Sequence, residues 1–102
     1  MVSVDEKSYT DFYLKSAQEE IKLIRDGIDE VNPDVTLLHR TSHSLKGQSY
    51  FMHFHEIGAQ AKQLEYLFKL LLNTNQLISQ KDKIYIISRL NEIEKLIGQI
   101  KI

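Results

Sequence analysis

Leu38-His39-Arg40-Thr41-Ser42-His43-Ser44-Leu45-Lys46-Gly47-Gln48-Ser49-Tyr50-Phe51-Met52 decides the fold. Leu38, Leu45 and Met52 fall on one side of a helix, with the small Ser42 and Ser49 between them. Charged and polar groups occupy the other side. A segment with a single apolar face must bury that face against other elements. The flanking sequence supplies them.

Upstream, a segment from about Tyr9 to Val31 repeats apolar residues every three or four positions: Tyr13, Ala17, Ile21, Ile24, Ile28 and Val31. Ser8, with Asp11 three residues on, suits a helix start. Asn32-Pro33-Asp34 ends the segment, because proline cannot continue the hydrogen-bond ladder and the residue before it avoids the α region. The second helix then runs from about Asp34 to Met52. A third begins near His55 with the stripe Ile57, Ala61, Leu64, Phe68 and Leu71. Asn73 to Gln80 is mostly polar and reads as a loop. Ser79, with Asp82 three residues later, caps a fourth helix whose stripe is Ile86, Leu90, Ile93, Ile97 and Ile100. Gly is scarce and there is one Pro, which disfavours a turn-rich β fold. The expectation is an all-α, antiparallel up-down four-helix bundle, since short connections make neighbours run in opposite directions.

The chain has 102 residues, enough for one domain spanning residues 1–102 with one core. Its 13 basic and 14 acidic residues give a formal net charge of -1, without a polybasic run, so nucleic acid and membrane are not expected partners. The uncharged stretch Leu70 to Gln80 is polar and too short to span a bilayer. No cysteine is present, which removes disulfides and thiolate metal sites. The N-terminus lacks the order of a secretion signal. A cytoplasmic protein is expected, and four stripes suffice for a monomer.

His39, His43, Lys46 and Tyr50 are spaced four, three and four apart, so they share one face of the second helix. Such a face is commonly no more than solvated surface. Gly47 argues for more, because Gly within a helix costs roughly 1 kcal/mol relative to Ala. Helical side chains lean toward the N-terminus, so a side chain at 47 would cover the turn carrying His43. Its absence leaves the imidazole open to a large partner. Tolerance or close helix packing is the plainer explanation, and Gly27 and Gly58 are possible examples of it. Lys46 sets a positive charge beside the ring, suited to an arriving phosphoryl group.

Register adds a further group. If the second and third helices form an antiparallel hairpin turning near Phe54, residues whose numbers sum to about 108 lie level. Glu65 is then level with His43, and Lys62 with Lys46. A carboxylate on one ring nitrogen would fix the tautomer and leave the other as a nucleophile.

Thr41-Ser42-His43-Ser44-Leu45-Lys46-Gly47-Gln48-Ser49, followed by Phe54, Ile57, Ala61 and Leu64-Glu65, resembles the histidine-containing phosphotransfer (HPt) domain. It is most similar to the version at the start of chemotaxis-type histidine kinases. The likeness is strongest from Leu38 to Glu65. The resemblance implies that His43 accepts a phosphoryl group on Nε2 and exchanges it with an aspartate of a response-regulator receiver domain. It also implies that Glu65 contacts the histidine and Lys46 assists transfer. No intrinsic cofactor is implied, because a partner kinase or receiver supplies Mg²⁺ and ATP. The chain would then be a phosphoryl carrier and not an enzyme, either free-standing or the phosphotransfer module of a larger histidine kinase. Two positions depart from the family pattern: Tyr50 stands where a small residue is usual, and His53 where glycine is common. Tyr50 and His39 are candidate docking residues, as are Phe12 and Tyr13, although an aromatic near a helix start is more often core.

Other readings compete. His39 and His43 have a spacing that can chelate zinc, and His53 and His55 follow. The latter pair lies about three turns from His43, too far to share one ion without a sharp bend. The dimerisation helices of a histidine kinase usually place an acidic residue after the histidine, where Ser44 stands here. A structural bundle or a degenerate HPt-like module without phosphotransfer would leave Gly47 and the Glu65 register unexplained.

Overall fold

The computed structural model describes residues 6–100, with the side chain of Glu6 and residues 1–5 and 101–102 outside that description. The described residues contain α1 (Glu6–Ile28), α2 (Val35–Phe51), α3 (His55–Thr74) and α4 (Gln80–Gly98), and no strand. Successive helices run antiparallel, as contacts between α1 and α2 show: Tyr13 meets Ser49 near one end, and Gly27 faces Leu38 near the other. The bundle expected from the apolar stripes is the one observed.

The stripes form a single core. Tyr13, Ala17, Ile21, Ile24 and Ile28 from α1 pack with Leu38 and Leu45 from α2. Ile57, Ala61, Leu64, Phe68 and Leu71 from α3 join Ile86, Leu90, Ile93 and Ile97 from α4. Ser42 and Ser49 are fully buried within this apolar set. Each hydroxyl donates to a carbonyl one turn back, Leu38 at 2.9 Å and Leu45 at 2.7 Å. Because the Ser49 proton is used in that way, the Tyr13 hydroxyl donates to Ser49 Oγ at 2.7 Å. A phenol at the core edge is thereby satisfied, as burial requires.

Three boundaries differ from the expected ones. Helix α1 is already running at Glu6, so Ser8 lies inside it and not at its start. Val31 is 95% exposed. After Ile28 the chain tightens, with Asp29 N–H on the Asp26 carbonyl and Glu30 N–H on that of Gly27, and the stripe is broken before Val31. Asn73 and Thr74 belong to α3 and Gln80 to α4, because the connecting turn is built by caps and needs few residues. Asn75 adopts a left-handed conformation, φ 53°. The amides of Asn75 and Gln76 return to the carbonyls of Leu72 and Leu71, the paired bonds of a Schellman motif. Ser79 and Asp82 then form a reciprocal capping box on α4. Asp34 caps α2 through the Leu37 amide.

The α2–α3 turn fixes the functional face. Phe54 N–H bonds the Ser49 carbonyl at 2.8 Å, and His53 N–H bonds that of Tyr50 at 3.0 Å. This is again a Schellman closure, with His53 at φ 65° in its left-handed position. The departure from glycine noted in the sequence falls on the one residue of the turn whose backbone favours glycine.

Candidate functional site around His43

His43 sits in the middle of α2 with 65% of its side chain exposed, opposite the buried Leu38–Leu45 side. Its Nδ1 is hydrogen-bonded to Oε2 of Glu65, which is only 14% exposed on α3. Oε1 of Glu65 accepts from Nζ of Lys46 at 2.6 Å. Both carboxylate oxygens are therefore engaged. The register behind this meeting holds at two heights, since His43 faces Glu65 and Tyr50 faces Gly58, pairs with the same residue sum.

Electrostatics fix the tautomer. Burial pushes the Glu65 carboxyl upward, but hydrogen bonds from Lys46 and His43, and their charges, outweigh it and hold it below the usual carboxylate range. An ionised carboxylate can only accept, so the Nδ1–H of His43 donates. When the ring is neutral, its lone pair therefore lies on Nε2, at the distal side of the exposed ring.

The other expected residues divide. Gly47 faces open space, for a Cβ added there would meet nothing within 4 Å. Close packing thus explains Gly58, where a Cβ would stand 2.9 Å from the Tyr50 ring, and Gly27, where it would stand 2.8 Å from Leu38, but not Gly47. Tyr50 is turned onto α3 over Gly58, its ring 5.9 Å from that of His55. Lys62 and His39 make no hydrogen bond or ion pair, and Lys62 does not join the His43–Glu65–Lys46 cluster. Tyr13 is 3% exposed and stacks on Phe54, so it belongs to the core, whereas Phe12 is 76% exposed.

Two features escaped sequence reading. One is a groove of about 500 Å³ between α1 and α2, lined by Tyr9, Phe12, Gly47, Gln48, Phe51 and Met52 over Tyr13. Phe51, 80% exposed at the end of α2, had no signal beyond lying off the apolar stripe. The other is a polar strut joining α1 to α2 behind the histidine. Ser16 donates to Gln48 Oε1, and Gln48 Nε2 donates to Ser44 and to Glu20. Burial raises the Glu20 carboxyl against the bonds from Ser44 and Gln48, and its Oε1 is buried without a partner. The i,i+4 spacing of Ser44 and Gln48 was visible, but their facing Glu20 depends on how α1 is rotated.

An exposed imidazole anchored through one nitrogen keeps its other nitrogen accessible to a partner. The Hpt domain family model matches residues 8–101, and the chain belongs to that family. It is thus a phosphotransfer domain of two-component phosphorelays, a family of phosphoryl carriers and not of catalysts. The comparison gave no match to a curated protein or to a solved structure. Membership replaces the kinase dimerisation-helix reading. Among the described residues, no cluster of three or more His, Cys, Asp or Glu is placed to hold a metal. No helix among the described residues is long and apolar enough to cross a membrane.

Proposed function

We propose that His43 accepts a phosphoryl group on Nε2 and exchanges it with an aspartate of a response-regulator receiver domain, in either direction. The observation that carries this reading is the anchoring of Nδ1 by Glu65, which leaves Nε2 as the exposed nucleophile. In the forward step the Nε2 lone pair attacks phosphorus of the receiver's aspartyl phosphate. The N–P bond forms, the P–O bond to the carboxyl breaks, and the aspartate leaves with the electron pair. The ring becomes positively charged with its proton still on Nδ1, and the Glu65 carboxylate opposite that proton stabilises the charge. Lys46 holds Glu65 in place through its second oxygen. The partner supplies Mg²⁺, and a kinase partner the ATP.

The groove of Phe12, Phe51 and Met52 beside Gly47 suits an apolar element of the receiver, with the open turn at Gly47 admitting it to the ring. Residues Leu38 to Glu65 favour the chemotaxis-kinase version of the family, acting in the cytoplasm as a monomeric module. Incubation with a phosphorylated receiver, or with a cognate kinase and ATP, is expected to give an acid-labile, base-stable label absent from His43→Gln. A label of equal intensity in that variant contradicts the assignment.

A further inference from the structure

The sequence assigns the charge that meets the phosphoryl group to Lys46 and sets Lys62 level with it, but geometry favours neither. Lys46 is 24% exposed and bonded to Glu65, so its charge already faces a carboxylate. Lys62 is level with Lys46 and leans toward the start of α3, away from His43, because helical side chains tilt toward their own N-terminus.

The same rule selects a different residue. Lys69 lies four residues after Glu65, one turn or about 6 Å further along α3, and level with His39 in the observed register. Its side chain tilts back toward the height of Glu65. On the antiparallel α2, His43 tilts the other way, toward the height of His39. By that tilt the two side chains approach each other. Lys69 is exposed and makes no ion pair, although Glu65 stands at the spacing for one. Both Glu65 oxygens are occupied by His43 and Lys46.

No acid among the described residues forms an ion pair with Lys69. Helix α2 contains no Asp or Glu, and the other acid of α3, Glu56, lies in its first turn, near the α2–α3 connection. Arg40, on the α2 turn that the His43 ring covers, is likewise exposed and unpaired. A chain of net charge -1 thus leaves two uncompensated cations beside its nucleophile, on the side toward which the ring leans.

We infer that Lys69, assisted by Arg40, contacts the phosphoryl group as it reaches Nε2 of His43, which makes Lys69 a substrate-binding residue of the transfer site. The inference rests on the phosphoacceptor reading of His43. Before transfer both cations are solvated; after it, the phosphoryl oxygens accept from them. A cation at that place favours the doubly ionised phosphoryl group.

The test uses the full chain with phosphoramidate as donor. The Nε2–P bond forms, the P–N bond of the zwitterionic donor breaks, and ammonia leaves with the electron pair. ³¹P NMR follows both the rate of appearance of Nε2-phosphohistidine and the pH titration of its phosphoryl group. Lys69→Ala is expected to slow labelling by about three- to tenfold, the range of an exposed to partly shielded charge-assisted contact. Its phosphoryl titration moves to higher pH. Lys69→Arg restores both, Arg40→Ala moves both less, and Lys95→Ala on α4, a control for total charge, moves neither. A Lys69→Ala protein labelled at His43 with the rate and titration of the unaltered chain overturns the inference alone. Absence of label at His43 in the unaltered chain overturns the functional reading as well.

Discussion

At the scale of single residues, the arrangement around His43 depends on one carboxylate with two partners. The Glu65 carboxyl titrates lower in the folded chain than in the unfolded one, because its bonds to Lys46 and His43 outweigh its burial. The folded state therefore binds fewer protons there. The resulting stabilisation is present above the ordinary glutamate range and is lost as pH falls through the folded value. Glu65→Gln is accordingly expected to lower the melting temperature at pH 7, with the difference from the unaltered chain shrinking below about pH 4. Thermal melts across pH 3–8 would check this, and a difference that widens in acid would contradict it. The same variant should slow phosphotransfer by roughly ten- to a hundredfold, since it loses the charge that stabilises the phosphorylated ring. The site was legible in sequence where it depended on helical spacing and hairpin register, as with His43, Lys46 and Glu65. The burial of Tyr13 and the turn of Tyr50 onto α3 were not legible, because burial is set by which helix faces which. A single helix face cannot show that Gly58 receives the Tyr50 ring.

Elements differ in how strictly they constrain their glycines and turns. Gly47→Ala meets open space and should stabilise the chain by about 0.5–1 kcal/mol through helix propensity. A bulky residue there should slow transfer while leaving the bundle folded. Gly58→Ala forces a Cβ into the Tyr50 ring and should destabilise by about 1–3 kcal/mol. Denaturant titration of the two alanine variants checks the contrast, and equal effects would refute the distinction drawn between the glycines. In the α2–α3 turn, His53→Gly should relieve the left-handed backbone and stabilise by about 0.5–1 kcal/mol. The apolar stripes made all four helices legible in the sequence, because a 3.6-residue period is written along the chain and needs no tertiary contact to be seen. Their ends were less so. Asn75 and His53 close helices through left-handed backbone, a conformation that composition reveals dependably only when the residue is glycine.

For the whole molecule, the α1–α2 pairing joins stability to the presentation of the site. Glu20 holds Gln48 and, through it, Ser44 beside His43, but its carboxyl is raised by burial. The folded state therefore favours its protonated form, and stability from this group is lost as pH rises through its folded value. Glu20→Gln should raise the melting temperature at pH 7 by a few degrees, with the gain shrinking in acid, opposite in sign to the change at Glu65. The groove formed by the same two helices should weaken receiver binding when Phe12 or Phe51 is replaced by Ser. Both side chains are mostly exposed, so the melting temperature should hardly change; calorimetric titration with a receiver domain measures the affinity. The effects on phosphotransfer and on receiver binding presuppose that the imidazole anchored by Glu65 is the acceptor. The most direct measurement locates the phosphoryl group after reaction with a phosphorylated receiver, using site-resolved mass spectrometry at neutral or alkaline pH together with ³¹P NMR. The expected result is one phosphoryl group on Nε2 of His43. A phosphoryl group on His39, His53 or His55, or on Nδ1 of His43, would contradict the account.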